Sequence, residues 1–188
     1  LDNSNNIATF FCLGWVARKY PDIIRDIEAA GHEIGTHSNA HQLLYRYDRN
    51  FFKNDLEISI KSLEDIIGKK IKAYRAPGFS LVSSTLWAYE ELAHQGIEYD
   101  CSIFLGNHSH GGRIKAFGVR PSIINIDGKI IKEFPVNSFR LGVKEIAFSG
   151  GGYFRFLPYP IIKKLMHRSE YIMTYFHPRD FDYEQPII

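Results

Sequence analysis

The stretch GHEIGTHSNAH, residues 31–41, places two histidines four positions apart directly after a short apolar run. Gly31 ends the amphipathic stretch PDIIRDIEAA, in which Pro21 suits a first helical turn, and HEIGTH is typical of a strand. Neutral imidazoles bind zinc well, and both rings face one ion if the backbone turns helically after His37. We therefore interpret His37 and His41 as metal ligands, although a histidine pair by itself also fits a surface or capping role.

The same order of helix, glycine and strand recurs along the chain. A second helix is predicted from Asn50 to Ile67, with Asn50 as a possible cap and Gly68 as its end. A third helix follows Ser83 or Ser84, either of which could cap it. The strands predicted around these helices are ATFFCLG (8–14), IKAYRAP (71–77), IEYDCSIF (97–104) and YIMTYFHP (171–178), the last preceded by a helix in YPIIKKLMHR (159–168). This alternation predicts an α/β fold with a parallel sheet.

Polar residues stand where these predicted strands end. Arg75 follows the strand at 71–74, Asp100 the strand at 97–99, and His177 the strand at 171–176. In a parallel barrel the carboxyl ends of all strands lie on one face, where such folds carry their chemistry. Each residue alone has an ordinary structural explanation: an ion pair, a cap or a core histidine. Their shared position predicts that they converge with His37 and His41 in one site.

The 188 residues, 45% of them hydrophobic, are enough for one domain spanning 1–188. The alternation breaks between residues 105 and 155, where Asp127-Gly128 predicts a β-hairpin at about 118–136. The glycines of SGGGYFR (149–155) lack the spacing of a phosphate-binding loop and are more typical of a tight loop that brings Tyr153 near the site. His108 and His110 fall in the irregular region and are weaker candidates for the lining of a pocket.

Composition excludes several classes of partner. A net charge of +2 with 23% charged residues, and no block of like charge, argues against nucleic-acid binding. No apolar run is long enough for a membrane span and no export signal is visible, so a cytoplasmic location is expected. Cys12 and Cys101 have no zinc-site spacing and read as buried small side chains.

Taken in order, the motifs resemble a known family. ATFFCLG, GHEIGTHSNAH, YRAPGFS, YDCS and YFHP are similar to the polysaccharide deacetylase (NodB-homology) superfamily of carbohydrate esterases. GGGYFRFLP and FHPRDFD further resemble its branch associated with exopolysaccharide and O-antigen gene clusters. The resemblance implies a distorted (β/α) barrel of NodB-homology type that removes N-acetyl groups from a carbohydrate substrate with a divalent metal, commonly zinc.

The resemblance also implies residue roles. His37 and His41 match the family's metal-binding histidines, Arg75 its arginine that orients the catalytic base, and His177 its general acid. Asp100 matches the aspartate that tunes this histidine, although YDCS lacks the tryptophan many members carry there. The backbone N–H of Gly78 and the side chain of Tyr153 are the expected oxyanion and substrate contacts.

One family motif has no match. The family begins with a strand that ends in an acidic motif, which supplies the general base and the third metal ligand, and this sequence starts after that position. We therefore expect the barrel to lack its first β/α unit here. Two other functions stay open: an allantoinase-like hydrolase of a small cyclic amide, and a sugar-binding relative without catalysis. The sequence does not indicate an oligomeric state.

Overall fold

A computed structural model describes residues 1–106, 114, 116–142, 144–182 and 184, without the side chains of Asp2, Leu141, Lys144 and Tyr153. Its main sheet has six strands in the order β1-β2-β3-β4-β6-β5, and β7 and β8 form a separate antiparallel pair. The strands are β1 (Thr9–Cys12), β2 (Glu33–Thr36), β3 (Ala73–Tyr74), β4 (Tyr99–Asp100), β5 (Ser122–Ile126), β6 (Lys129–Glu133), β7 (Ser138–Leu141) and β8 (Lys144–Ala147). The α/β class is therefore confirmed.

Strands β1 to β4 run parallel, and their carboxyl ends are aligned. Thr36 on β2 is the register partner of Tyr74 on β3, and Tyr74 is the partner of Asp100 on β4. The backbone bonds continue one residue further, because His37 N–H donates to Cys12 O at 2.9 Å and Arg75 N–H to Thr36 O at 3.1 Å. The predicted meeting of these strand ends at one edge of the sheet is confirmed.

Six helices accompany the strands in the described part of the chain. They are α1 (Gly14–Lys19), α2 (Pro21–Ala29), α3 (Arg49–Ile67), α4 (Ala88–His94), α5 (Gly151–Phe156) and α6 (Tyr159–Arg168). The longest, α3, buries Leu56 and Leu63 completely and ends at Gly68, whose φ of 66° is the left-handed conformation predicted for its terminator. Its cap is Asp48 rather than Asn50, because the Asp48 carboxylate accepts the Phe51 N–H at 2.8 Å.

The hairpin predicted at 118–136 is confirmed as β5 and β6. Asp127 and Gly128 both have positive φ, at 50° and 85°, as a two-residue turn between twisted strands requires. The hairpin does not stand apart from the sheet, since β6 pairs in parallel with β4 and brings Glu133 beside Asp100. It therefore extends the main sheet by two strands.

Other predicted elements differ from the structure. No strand forms at 171–176, where the described backbone has only a parallel bridge between Tyr175 and Gly150. Neither Ser83 nor Ser84 caps α4, which begins at Ala88 after a short 3₁₀ turn. The glycines at 150–152 lead into helix α5 rather than a tight loop.

The strand pairings in the described ranges form an open row, so the predicted closure into a barrel is not seen there. Among the helices of the described part, none combines the length and apolar character needed to cross a membrane.

Candidate active site

His37 is the first residue after β2 and is held by a neighbouring strand end. Its Nδ1 lies 2.7 Å from the carbonyl oxygen of Arg75, and because a carbonyl only accepts, Nδ1 carries the proton. Burial lowers the pKa of His37 to about 3, and the nearby charges of His41, Arg75 and His177 act in the same direction. His37 is therefore a neutral imidazole whose Nε2 lone pair is available.

His41 approaches His37 by way of a loop, not the predicted helical turn. Ser38 and His41 both have left-handed backbones, with φ of 69° and 56°. The ring centroids of the two histidines are 5.0 Å apart and the rings are nearly perpendicular. The pair is thus brought together as predicted, through a different backbone path.

Side chains from α3 hold this histidine loop in place. The Asp55 carboxylate accepts the Asn39 N–H at 2.8 Å, and the Ser59 hydroxyl donates to the Ser38 carbonyl at 2.9 Å. The four residues that form these two bonds are buried or partly buried, so water competes poorly for the bonds. Helix α3 therefore fixes the conformation of the histidine loop.

The histidine pair fits a divalent metal only in part. Two neighbouring imidazoles, one already neutral and anchored through Nδ1 to a carbonyl, match the arrangement of metal-binding histidines. Within the described ranges, however, no cluster of three His, Cys, Asp or Glu side chains could hold an ion. The described residues therefore offer two ligands.

Arg75 is a buried cation surrounded by carbonyl and aromatic groups. Its Nε donates to Cys101 O at 3.2 Å, its Nη2 to Met173 Sδ at 3.3 Å, and its guanidinium carbon lies 4.3 Å from the centre of the Phe11 ring. Burial lowers the pKa of Arg75, but a guanidinium stays charged in proteins. Among the described side chains no carboxylate forms an ion pair with it, which leaves its charge for an anionic partner.

Gly78 lies in a tight turn directly after the Arg75 strand end. Its φ of 59° is left-handed, a conformation that costs glycine little. The turn is tied to β4 because the Ala76 N–H donates to the Ser102 hydroxyl at 2.8 Å. The role of the Gly78 N–H as an oxyanion donor stays a prediction.

Asp100 is completely buried at the end of β4, inside a polar cluster. The Ser102 hydroxyl donates to Asp100 Oδ1 at 2.5 Å, and Glu133 on β6 is the register partner of Asp100. The Tyr89 hydroxyl donates to Glu133 Oε2 at 3.1 Å. Burial and the Asp100 charge raise the pKa of Glu133 well above its usual range, and burial also raises the pKa of Asp100.

His177 follows the segment that was predicted as a strand, and its side chain is half-exposed. The carboxylate beside it is Asp180, whose Oδ2 lies 3.4 Å from Nδ1, rather than the expected Asp100. The ring of Tyr175 stands perpendicular to the imidazole at 6.2 Å. The Tyr175 ring also lies 6.0 Å from the Arg75 guanidinium, so the late histidine belongs to the neighbourhood of Arg75.

Three residues named from the sequence fall outside the described part. They are the side chain of Tyr153, whose backbone lies in α5, and the whole of His108 and His110. Their predicted contacts with substrate stay predictions.

The first half of the chain matches a known protein family. Residues 1–97, just over half of the 188, match the model of the family described as polysaccharide deacetylase. The chain belongs to the polysaccharide deacetylase family. Residues 101–188 match a second model, described as a domain of unknown function, DUF3473.

Individual relatives agree with this membership. A peptidoglycan-N-acetylglucosamine deacetylase of Bacillus cereus is 33% identical over 92 residues, which are 48% of this chain and 34% of that protein. A chitooligosaccharide deacetylase of Azorhizobium caulinodans is 35% identical over 72 residues, 38% of this chain and 34% of that protein. The matches thus span about a third of the length of these curated relatives.

A solved structure supports the fold. The crystal structure of a putative polysaccharide deacetylase from Mycobacterium smegmatis superposes with a TM-score of 0.60 at 28% identity, over 73% of this chain and 43% of that one. The NodB-type α/β architecture inferred from the motifs is therefore confirmed.

Two residues of the candidate site were missed from the sequence. Glu133 stands within KIIKEFPV, where a lone glutamate among apolar residues of a hairpin strand is a weak signal. Asp180 stands three residues after His177 in HPRD, a spacing that turn-forming acids often have. Neither partnership was visible without the fold.

Proposed function

We propose that this chain is a metal-dependent N-deacetylase of a carbohydrate, hydrolysing an acetamide to acetate and an amine. The observation that carries the proposal is that His37 and His41 lie together beside Arg75, and that the Tyr175 ring lies between Arg75 and His177. Membership of the polysaccharide deacetylase family supports it.

The substrate class is proposed from the relatives. The two curated relatives are named for peptidoglycan N-acetylglucosamine and for chitooligosaccharide, both N-acetylated glucosamine glycans. We propose an N-acetylated sugar, free or within a polymer, as the substrate of this chain.

Amide hydrolysis needs an activated water, stabilisation of the tetrahedral oxyanion and a proton for the leaving nitrogen. In our proposal His177 gives the proton to that nitrogen, and the N–H of Gly78 donates to the oxyanion. Arg75 would orient the general base, the carboxylate that takes the proton of the attacking water and that the acidic motif of the family supplies. This assignment gives a use to a buried guanidinium that forms no ion pair with the described carboxylates.

His37 and His41 are the residues that would hold the metal. When bound there, a divalent ion such as zinc would polarise the acetyl carbonyl and lower the pKa of its water ligand. The neutral state of His37 supports this role, because an imidazole binds metal through an unprotonated nitrogen.

The test of function is acetate release from chitooligosaccharides and from peptidoglycan fragments. We expect turnover by the wild type and a loss of at least about 100-fold in His37→Ala and in His177→Ala. His94→Ala is the matched control, because His94 is exposed at the end of α4, and it should keep the wild-type rate.

Two other outcomes would select the alternative functions. Hydrolysis of allantoin-type cyclic amides without acetate release from any glycan would favour an allantoinase-like function. Glycan binding that survives chelation and the His37→Ala substitution, with no turnover, would favour a sugar-binding module. Either result would contradict the proposed deacetylase.

The metal is tested separately, by elemental analysis and competitive chelation with zinc. We expect at most one zinc ion per chain, with affinity about 10- to 100-fold weaker in His41→Ala than in wild type and unchanged in His94→Ala. Equal zinc binding by all three proteins would exclude His41 as a ligand.

A further inference from the structure

The turn between helices α5 and α6 exposes an apolar tip beside a group of cations. We propose that this α5–α6 corner, residues 156–161 together with the outward face of α6, docks the protein on an anionic membrane surface. The contact is peripheral, since none of the helices in the described part of the chain could cross a bilayer. The inference goes beyond the proposed function and does not depend on it.

The tip of the corner is apolar and open to solvent. Phe156 is 84% exposed, the highest value among the large apolar side chains of the described residues, and Tyr159 and Ile161 are 67% and 45% exposed. Pro158 and Pro160, which lie between them, are exposed as well. Single apolar residues are normal on protein surfaces, but a contiguous exposed group marks an interaction site.

The charge around this tip has one sign. From residue 146 to residue 169 the chain has four of its 23 Lys and Arg residues and none of its 21 Asp and Glu residues. The rest of the chain has 19 basic against 21 acidic residues, so the positive net charge comes from this region. Each cation near an anionic leaflet strengthens binding about fivefold, which makes such a region attractive to anionic lipids.

Three of these four cations project from α6. Lys163, Lys164 and Arg168 are exposed and form no ion pair with the described residues. The next acid along the chain is Glu170, and Arg120 already binds it at 2.9 Å. The charges of the three α6 cations are therefore available to an anionic partner.

Both helices of the corner are fixed to the rest of the protein. Helix α6 buries Ile162, which is 1% exposed, so its apolar face packs on the protein and its basic face points outward. At the start of α5 the Gly151 N–H donates to Tyr175 O at 3.0 Å. The ring of Phe154 packs against the ring of Phe176, with centroids 5.0 Å apart. Because the corner is held before it binds, little conformational entropy is lost on docking.

The combination of tip and cations favours a lipid surface over other anionic partners. An acidic polymer in solution would engage the cations, but the exposed ring of Phe156 gains most from transfer into an apolar phase. At a bilayer the phenylalanine ring enters the acyl boundary, Tyr159 lies at the headgroup level, and the α6 cations pair with anionic headgroups. One surface then satisfies both halves of the corner.

Cosedimentation of the full chain with vesicles tests the electrostatic half. The vesicles contain phosphatidylcholine alone or phosphatidylcholine with about 30% phosphatidylglycerol. We expect the wild type to bind the anionic vesicles at least about 10-fold more tightly, and high salt to release it because salt screens exposed charges. Lys163→Ala/Lys164→Ala should weaken binding to the anionic vesicles about 20-fold, because two surface cations are lost.

A second pair of adjacent lysines provides the matched control. Lys69 and Lys70 are also exposed, but they form ion pairs with Glu28 and Glu64 and lie outside the corner. Lys69→Ala/Lys70→Ala should therefore bind the anionic vesicles as the wild type does. Circular dichroism of both double variants verifies that they are folded.

Insertion of the tip is measured separately, by tryptophan fluorescence with brominated lipids. In Phe156→Trp we expect the added emission, relative to the wild type, to shift to shorter wavelength on binding and to be quenched by the bromine atoms. Ile123→Trp is the control, because Ile123 is an apolar side chain on β5 with 71% exposure, and its added emission should stay unquenched. Phe156→Ser should weaken binding at least about 10-fold, and Ile123→Ser should not.

Several results would overturn the proposal, and none of them depends on acetate release. They are absence of binding to the anionic vesicles, equal binding by wild type and Lys163→Ala/Lys164→Ala, and binding without quenching at residue 156. If the lysine variant instead loses affinity only for a soluble acidic polysaccharide such as alginate, the corner binds a polymer. If Phe156→Ser converts a dimer to a monomer in gel filtration and vesicles are not bound, the corner joins two copies of the chain.

Discussion

His37 shows how one residue is prepared for its role by the main chain of another strand. The carbonyl of Arg75 accepts a hydrogen bond from His37 Nδ1–H, while the side chain of Arg75 extends to Cys101 O and Met173 Sδ. A single residue after β3 therefore sets the tautomer of His37 and places a cation beside it. Changes in the turn after Arg75 should consequently affect both parts of the site.

Glu133 and Asp100 form a buried pair whose protonation depends on the fold. Burial and the charge of Asp100 raise the pKa of Glu133, so the folded protein binds a proton that the unfolded chain releases near pH 4 (carboxyl pKa about 4.3). A group of this kind contributes stability at low pH that is lost as the pH rises through the folded-state pKa. Each unit of pKa difference corresponds to about 1.4 kcal/mol.

We predict that Glu133→Gln, which mimics the protonated form, flattens this pH dependence. The wild type should lose free energy of unfolding between pH 5 and pH 8, and the variant should lose at least about 1 kcal/mol less. Urea unfolding at several pH values measures the difference. Glu57→Gln, an exposed position on α3, is the control and should follow the wild type.

At this scale the sequence predicted residues that mark strand ends but not their side-chain partners. His37 and Arg75 could be located because each follows an apolar run, and strand ends align in a parallel sheet. Glu133 and Asp180 could not be located in this way. Glu133 lies beside Asp100, which is 33 positions away in the chain, and Asp180 lies beside Arg155 of helix α5.

Among the elements, helix α3 holds the histidine loop and depends on its own cap. The side chain of Asp48 satisfies the Phe51 N–H, one of the donors that the first turn leaves unpaired. Asn50, the cap predicted from the sequence, is instead the second residue of the helix. Two residues with capping ability, Asp48 and Asn50, stand two positions apart here, and the extended backbone at Asp48 decided which one acts.

We predict that Asp48→Ala lowers the free energy of unfolding by about 1 kcal/mol, the usual contribution of a cap. Asn50→Ala is the matched comparison and should change the stability by less than about 0.5 kcal/mol, because its side chain is exposed. Thermal or urea unfolding of both variants measures this. A larger loss in Asn50→Ala than in Asp48→Ala would reverse the assignment.

The segment 171–176 is the clearest difference between predicted and observed elements. Its apolar alternation suits a strand, but a strand also needs a free neighbouring edge. In the described sheet β4 pairs with β3 and β6, and β6 pairs with β4 and β5. Only Tyr175 joins another backbone segment, through its bridge to Gly150.

At the scale of the whole molecule, the side chain of Asn137 attaches the segment 171–176 to the rest of the fold, since strand pairing does not. Its Nδ2 donates to Tyr171 O at 2.7 Å, and its Oδ1 accepts the Met173 N–H at 2.6 Å. The Tyr171 hydroxyl also donates to Pro135 O at 3.1 Å. A side-chain amide thus replaces the sheet bonds that would fix the segment leading to His177.

We predict that Asn137→Ala loosens this segment and weakens catalysis. Two bonds to a buried amide are lost, so we expect about 2 kcal/mol less stability and a fall in kcat of about 10-fold because His177 is less well held. Hydrogen exchange at the Met173 amide and acetate release measure the two effects. Asn125→Ala, at an exposed position in strand β5, is the control and should leave Met173 exchange unchanged.

The sequence by itself determined the α/β class, the β5–β6 hairpin and the positions of His37, His41, Arg75 and His177. These features are local: apolar periodicity, glycine at helix ends, Asp127-Gly128 at a turn, and a polar residue after each run. Such signals act within a few residues, so the local sequence is enough to recognise them.

Only the tertiary structure decided which side chains became partners. The pairing of β6 with β4 buried Glu133 against Asp100, and the packing of α5 brought Arg155 to Asp180 beside His177. Residues 171–176 pair with no strand of the main sheet, and side-chain bonds from Asn137 hold them instead. These outcomes depend on long-range packing and on competition for hydrogen-bonding edges, which no local pattern contains.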